Sequence, residues 1–266
     1  MGAPPPYPRP ATGFALNSRD AMAGSSHTSK IYDQELRSLR EKLLLMGSLV
    51  EDMISKGDAA LRTRDTALAQ ATMRADRRIN RLECEVDELA MRILATRQPV
   101  ASDLRFITTA LKIVTDLERV GDLCVNICER VIELNEEPPL PPVGDLTNLA
   151  DEAIALVHDA LDALVARDVD RATALLGRDD IIDEHYGQIF RQVLDLMARE
   201  PAAIYRATRV QSIAKYLERI ADHAVNIAET VVFLVKGTDI RHGRSRQHES
   251  DAPPPLDEGG GDGRAK

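Results

Sequence analysis

The sequence predicts an all-α fold of two tandem, antiparallel three-helix bundles. Aromatic residues make up only 3% of the 266 residues and tryptophan is absent, and runs that favour strands are scarce. Apolar residues instead recur at three-to-four-residue spacing through most of the chain. A thirteen-residue segment also occurs twice, at 117–129 and 217–229, with eight identical positions. The two copies lie one hundred residues apart, which indicates two helical units of about that length.

The first three-helix unit is predicted over residues 31–135. Asp65 suits the N-cap of its second helix, because a short acidic side chain accepts hydrogen bonds from the first free backbone N–H groups. Ser102 or Asp103 suits the start of the third helix for the same reason. Pro99 separates the second helix from the third, because proline is a poor continuation of a helix. The predicted helices cover residues 32–62, 65–98 and 102–135.

The proline-rich stretch 136–144 is predicted to be a linker, because it cannot remain helical. The scheme then restarts in a second unit, residues 145–240, whose third helix begins at Pro201, a favoured first helical position. The tails 1–30 and 241–266 are rich in proline and glycine without apolar periodicity, and we expect both to be disordered. The predicted helices of the second unit cover residues 145–166, 169–198 and 201–236.

Acidic side chains recur at helical spacing in both units. Glu118 and Asp122 lie one turn apart on one helix face, and the second copy of the segment repeats the pair. An offset of 103 residues relates the two middle helices, which carry acidic or amide residues at the same spacing. If the middle and third helices lie side by side, four oxygen-bearing side chains meet in each unit. The candidate ligands are Asp76, Asn80, Glu118 and Asp122, and Asp179, Asp183, Glu218 and Asp222.

Clusters that offer only oxygen suit magnesium, calcium, manganese or iron. The alternative is a solvated helix face with salt bridges through Arg119 and Arg219. We expect these two arginines to orient the carboxylates and to lower their pKa values. A ferritin-type di-iron oxidase is disfavoured, because such sites need Glu-x-x-His on two helices, and no histidine of the helical units follows an acidic residue at that spacing.

Cys124 and Cys128 are spaced like a pair of soft metal ligands, but alanine occupies both positions in the second copy. We therefore interpret them as small core residues. His223 follows the acidic Asp222, yet leucine occupies its counterpart position, so a packing or surface role is the better interpretation.

Charge and composition exclude several classes of protein. A net charge of −9 argues against a nucleic-acid partner. No apolar run reaches the length that spans a bilayer, and the N-terminus lacks a signal pattern. The three cysteines form no secreted-type disulfide framework, so a cytoplasmic protein is expected. No phosphate loop, nucleophile elbow or kinase motif occurs, which favours a protein that is not an enzyme.

Four separated segments closely resemble the bacterial PhoU family, the regulators of the phosphate-specific transport system. They are residues 97–105, 117–122, 217–222 and 235–242. The resemblance is specific, because the segments agree in order, and it covers roughly residues 31–242. It implies two tandem three-helix bundles related by a pseudo-twofold axis.

The resemblance also implies a multinuclear iron or zinc cluster, with magnesium or manganese as alternatives. The family binds such clusters through paired acidic residues four positions apart, and the pairs Glu118–Asp122, Glu218–Asp222 and Asp179–Asp183 match this motif. Asn80 stands where a carboxylate is expected. An amide oxygen ligates with less charge, so we expect the first cluster to be weaker or to hold fewer ions.

In function, the resemblance implies a negative regulator of the phosphate regulon and of high-affinity phosphate uptake. Such a protein links the ATPase subunit of the phosphate transporter to a sensor histidine kinase, without catalysis of its own and without insertion into the membrane. We also expect a homodimer. Two alternatives remain: a metal-dependent enzyme that acts on phosphoesters, and a purely structural helical adaptor without metal.

Overall fold

The computed structural model describes residues 18–141 and 145–240, which form helices and connecting segments without a β-strand. The prediction of an all-α fold with two three-helix units is confirmed, except that the middle helix of the second unit is broken into α5 and α6. A turn of 3₁₀-helix, Pro201–Ala203, precedes the last helix. The helices are α1 (Ser18–Thr63), α2 (Thr66–Thr96), α3 (Ala101–Asn135), α4 (Leu146–Ala166), α5 (Val169–Leu175), α6 (Asp179–Arg199) and α7 (Ile204–Lys236).

The corner between the first and second helices is built in the same way in both units. Arg64 and Arg167 follow the first helix in the left-handed backbone conformation, with φ of 54° and 51°. Asp65 and Asp168 then cap the next helix by accepting a hydrogen bond from the backbone N–H three residues on, at 2.9 and 3.0 Å. The predicted N-cap role of Asp65 is thus confirmed, and the repeated Arg-Asp pair marks an equivalent turn.

The first helix begins earlier than predicted, at Ser18 rather than at Tyr32. The sequence shows no apolar periodicity over residues 18–30. This indicates that the segment has no buried face, but it does not argue against a helix. Propagating an established helix needs one hydrogen bond per residue and no new nucleus, and the prolines of the N-terminal tail all lie before residue 11. The predictions for residues 1–17 and 241–266 lie outside the described residues.

Three other helix starts differ from the prediction. The last α-helix begins at Ile204 rather than at Pro201, because residues 201–203 form the 3₁₀ turn. The helix predicted over 169–198 is broken between Leu175 and Asp179, because Gly177 destabilises a continuous helix and Asp179 suits a new first turn. The third helix opens at Ala101 without a side-chain cap. Asp103, one of its two predicted cap residues, instead accepts a hydrogen bond of 2.8 Å from the hydroxyl of Tyr32 on α1.

The buried apolar residues of both units form one connected core. The most extensive contact between helices joins α3 to α7, and α1 also contacts α4. Large side chains from both units are fully buried in this core, including Met46, Ile107, Leu117, Leu149 and Leu156. Within the described ranges, no helix combines the length and apolarity needed to cross a bilayer.

Polar contacts also connect the two units across the α3–α7 interface. His223 Nδ1 lies 2.9 Å from a carboxylate oxygen of Asp116, and Arg209 donates a hydrogen bond of 2.8 Å to Glu133. Both pairs are largely shielded from water. This interhelical contact agrees with the packing or surface role predicted for His223.

The two left-handed arginines give a prediction about stability. We expect Arg167→Gly to raise the free energy of unfolding by about 0.5–1 kcal/mol, because glycine adopts positive φ without the steric penalty of a Cβ atom. Arg64→Gly should instead lower it by about 1 kcal/mol or more. Its guanidinium donates hydrogen bonds to the carbonyls of Leu134 and Glu137 at 2.6 and 2.8 Å.

Urea denaturation of the wild type and both variants measures this difference. The explanation is wrong if the two variants shift the unfolding midpoint by the same amount.

Candidate metal centres

The first acidic cluster lies between α2 and α3, so the predicted approach of these helices is observed. Asn80 donates a hydrogen bond of 2.9 Å to one carboxylate oxygen of Asp76. The other oxygen, Oδ1, is buried without a hydrogen-bond partner. Gly121 of α3 lies beside this oxygen, since a Cβ at that position would be 3.4 Å from Asp76 Oδ1, an ordinary contact, and 3.3 Å from Ile79.

The pKa values of the cluster show that its carboxylates repel one another. Burial raises the pKa of Asp76 above its ordinary value, and the charge of Asp122 raises it further. Burial likewise raises the pKa of Glu118, again with Asp122 as the next cause. Burial, then Asp87, and more weakly Asp122 raise the pKa of Glu83, a residue that the sequence analysis missed. Its position seven residues after Asp76 places it on the same helix face.

Arg119 lies at the rim of this cluster. Its Nε is 3.5 Å from Glu118 Oε2, and its Nη1 is 3.5 Å from Asp122 Oδ2. This position fits the orienting role predicted for it. Arg119 lowers the pKa of Glu118, as expected, but burial and the charge of Asp122 outweigh it and leave that pKa above its ordinary value.

The second acidic cluster lies between α6 and α7 and surrounds Glu218, whose surface is only 9% exposed. The ammonium of Lys215 lies 2.6 Å from both oxygens of Glu218, with hydrogen-bond geometry to Oε1 alone. Glu218 Oε2 is buried and accepts no hydrogen bond. Lys215 also lies 5.1 Å from the ring centroid of Tyr186. A lysine therefore forms part of the second cluster.

Lys215 takes the place that the sequence analysis gave to Arg219. The Arg219 side chain is exposed, and no ion pair joins it to Glu218 or Asp222 in the structure. Arg219 follows Glu218 directly and diverges from it around the helix, whereas Lys215 precedes Glu218 by three residues and lies on the same face. The i, i+3 spacing of Lys215 and Glu218 was the signal in the sequence that could have predicted this ion pair. Comparison of the two copies did not reveal it, because the first unit has threonine at the equivalent position, 115.

The remaining acidic residues of the second cluster lie at its rim. Asp222 is exposed at the helix surface, yet partial burial of its carboxyl group and then the charges of Glu218 and Asp183 raise its pKa to about 6. Desolvation, followed by the charges of Glu218 and Asp179, also raises the pKa of Asp183. The four predicted acidic residues of this unit are thus close enough to interact electrostatically.

Both clusters match a hard or borderline metal ion in their donor chemistry. Each offers carboxylate oxygens. Glu218 Oε2 accepts no hydrogen bond but lies 2.6 Å from the Lys215 ammonium, whereas Asp76 Oδ1 is buried without any hydrogen-bond partner. Such an atom is costly unless something positive or hydrogen-bonding reaches it. Among the described residues, however, no three histidine, cysteine or acidic side chains are arranged to hold a metal ion as they stand. Binding would require these side chains to move closer together.

The cysteine pair does not contribute to either cluster. Cys124 is buried and its thiol donates to the backbone carbonyl of Met53 at 3.1 Å, and Cys128 is buried beside it. Contact with Cys128 and burial raise the pKa of the Cys124 thiol well above its ordinary value, which keeps it neutral. The interpretation of both residues as core residues is confirmed.

The raised pKa of Asp222 predicts a pH-dependent stability. Because its folded-state pKa of about 6 exceeds the unfolded value, its ionised form destabilises the fold. That penalty is fully present above pH 6 and disappears as the pH falls toward 4. In metal-free protein, Asp222→Asn should therefore raise the free energy of unfolding by about 1 kcal/mol at pH 7.5, with partial exposure limiting the gain.

Urea denaturation at pH 7.5 and at pH 4 measures the effect, and the gain should be absent at the lower pH. An equal effect at both pH values would mean that charge repulsion is not its cause.

Comparison with known proteins identifies the family. A model of the PhoU domain matches residues 43–131 and 146–231. The phosphate-specific transport system accessory protein PhoU homolog of Pseudomonas putida is 42% identical over 217 residues, which are 81% of this chain and 85% of that protein. The accessory protein PhoU of Escherichia coli K12 is 34% identical over 84% of this chain and 92% of its own length.

Two solved structures share the fold. The crystal structure of PhoU from Pseudomonas aeruginosa is similar with a TM-score of 0.76 and 39% identity, over 78% of this chain and 100% of that one. The phosphate transport system regulatory protein PhoU from Streptococcus pneumoniae is similar with a TM-score of 0.71 and 29% identity, over 78% of this chain and 98% of that one. The chain therefore belongs to the PhoU family.

Proposed function

We propose that the protein is a metal-binding adaptor that negatively regulates the phosphate regulon and high-affinity phosphate uptake. In this proposal it links the ATPase subunit of the phosphate transporter to the sensor histidine kinase, acts in the cytoplasm as a homodimer, and catalyses no reaction. The names of its relatives as accessory proteins of phosphate-specific transport support this role. Its three cysteines, which are free thiols, agree with a reducing compartment.

The observation that carries the metal-binding part is the duplicated acidic cluster. Each unit holds its carboxylates between the middle and third helices, where their mutual repulsion destabilises the ionised forms. A divalent cation would supply the positive charge that offsets this repulsion. Asp76, Glu118 and Asp122 would hold it in the first unit, with Asn80 as a further oxygen donor. In the second unit the ligands would be Asp179, Asp183, Glu218 and Asp222.

The two centres should not bind equally. From Asn80 alone we expected the first centre to be weaker, but the contacts favour the reverse order. Lys215 already occupies both oxygens of Glu218, whereas Arg119 stays 3.5 Å away at the rim of the first cluster. The first cluster also has an additional carboxylate, Glu83, where the second has Tyr186. A cation in the second unit must therefore displace the Lys215 ammonium from Glu218.

The same lysine favours a second candidate function, a structural adaptor whose acidic faces work without metal. Lys215 neutralises part of the second cluster, and in the described residues neither cluster is arranged for coordination as it stands. In that case the faces would be docking or solubility surfaces, and the regulatory role would not depend on metal content.

Metal content distinguishes these two functions. We expect protein purified without chelator to contain iron, zinc, manganese or magnesium in stoichiometric amount, and Glu118→Gln/Glu218→Gln to lose it, because each substitution removes a charged ligand from one cluster. Elemental analysis measures this, with Glu88→Gln/Glu200→Gln as a control of equal charge change at exposed positions.

Repression of a phosphate-regulated reporter by each variant then links metal to regulation. A double variant that keeps its metal would contradict the sites. One that loses metal and still represses would favour the structural adaptor.

Lys215 provides a separate prediction. We expect Lys215→Met to raise the affinity of the second centre for Mn²⁺ about tenfold or more, because the cation no longer competes with an ammonium for Glu218. Calorimetric titration with Mn²⁺ measures the affinity. Lys112→Met is the control, since this lysine lies over the ring of Phe233 rather than in a cluster. An unchanged affinity in the Lys215 variant would mean that the lysine and the metal do not share a site.

A further inference from the structure

A groove lies between α1 and α2, on the side of α2 that faces away from the acidic cluster. Its volume is about 790 Å³. Four arginines of α2 line it at spacings of three, four and seven residues, which places them along one helix face. Over seven residues this basic row is about 10 Å long, or two helical turns. The four residues are Arg74, Arg77, Arg78 and Arg81.

The fold does not use most of this positive charge. All four arginines are exposed, and in the described part of the chain no ion pair involves Arg74, Arg77 or Arg78. The groove contains two carboxylates of its own. One of them, Glu85, is paired with Lys42, and Glu41 is the other. Unpaired guanidinium groups aligned along one face, in a chain of net charge −9, favour contact with an anionic partner.

The row is a property of the first unit alone. At the offset of 103 residues that relates the middle helices, the counterparts of the last three arginines are Asp180, Ile181 and Glu184. The same helical scaffold therefore carries acidic or apolar residues at these positions in the second unit. Stability of the three-helix unit does not account for the arginines.

Apolar side chains accompany the basic row and specify the kind of partner. Leu45 is 40% exposed, Leu49 is partly buried, and Leu82 lies beneath them at the bottom of the groove. A free phosphate ion would use the arginines but not the leucines. A flat bilayer surface would not reach leucines that lie within a groove. An amphipathic helix with acidic and apolar stripes satisfies both.

We propose that the α1–α2 groove binds an acidic amphipathic helix of a partner protein, with its carboxylates on the arginine row and its apolar stripe on the leucines. This inference rests on the adaptor function proposed above and gives that adaptor a docking surface. The surface is separate from the first acidic cluster, which lies on the other side of α2, and from the second, which lies between α6 and α7.

A designed peptide tests the groove in the full-length protein. The probe is a fluorescent helical peptide of about eighteen residues, with glutamates on one stripe and leucines on the adjacent one. A permuted peptide of identical composition, with the leucines dispersed around the helix, separates shape from charge. Fluorescence anisotropy measures binding to the wild type, to Arg77→Glu/Arg81→Glu and to Leu45→Ser. Arg92→Glu/Arg191→Glu is the control, because it makes the same charge change at exposed positions outside the groove.

We expect the groove arginine variant to bind the amphipathic peptide at least tenfold more weakly than the wild type. Leu45→Ser should also weaken binding, the control variant should stay within about twofold of the wild type, and the permuted peptide should bind poorly to all of them. Equal weakening by the control variant, or equal binding of the permuted peptide, would overturn the proposal in favour of diffuse charge attraction.

Two further measurements identify other occupants. Sedimentation equilibrium would overturn the proposal if only the groove variant dissociates an oligomer, because a second copy of the chain would then cover the groove. Binding to phosphatidylglycerol vesicles that the groove variant loses, without peptide binding, would assign the surface to a membrane. The metal and reporter experiments use different residues, so failure of the groove leaves their outcome unaffected.

Discussion

The packing of α3 against α7 is the contact on which the rest of the structure depends. These two helices form the most extensive interface in the described chain, and each also packs against the middle helix of its own unit. Because their apolar faces are buried over nearly the whole length, the acidic residues beside those faces are held at the edge of the core. There the carboxylates are partly desolvated and close to one another, which raises their pKa values.

The two acidic clusters differ at positions beside their shared carboxylates. Glu83 and Thr115 in the first unit correspond to Tyr186 and Lys215 in the second. The second cluster therefore contains a lysine, whose ammonium lies over the ring of Tyr186. The carboxylates on the third helix stayed the same. These two positions therefore determine whether a lysine of the same unit offsets the carboxylate charge, while the helices that carry the carboxylates stay the same.

Helix α2 carries opposite charges on its two solvent-facing edges. The edge toward α3 contributes Asp76 and Glu83 to the acidic cluster, whereas the edge toward α1 carries the arginine row. In α6 the residues equivalent to that row are acidic or apolar, so the two units present different surfaces to their surroundings. A protein that contacts more than one partner can use such asymmetry, because each surface attracts a different charge.

The sequence by itself determined the helical class, the two units and the approximate positions of most helices, because 3.6-residue periodicity, N-caps and the internal repeat are local or directly comparable signals. It also indicated that acidic residues of α2 and α3 meet, since a short connection joins these two helices. Only the tertiary structure decided that Lys215 rather than Arg219 contacts Glu218, that Glu83 joins the first cluster, and that α1 and α2 enclose a basic groove. Those outcomes depend on where each residue lies around its helix axis and on which neighbouring helix its side chain reaches. Burial in turn raises the pKa of Glu118 despite Arg119, and no spacing in the sequence reports the loss of solvent that causes it.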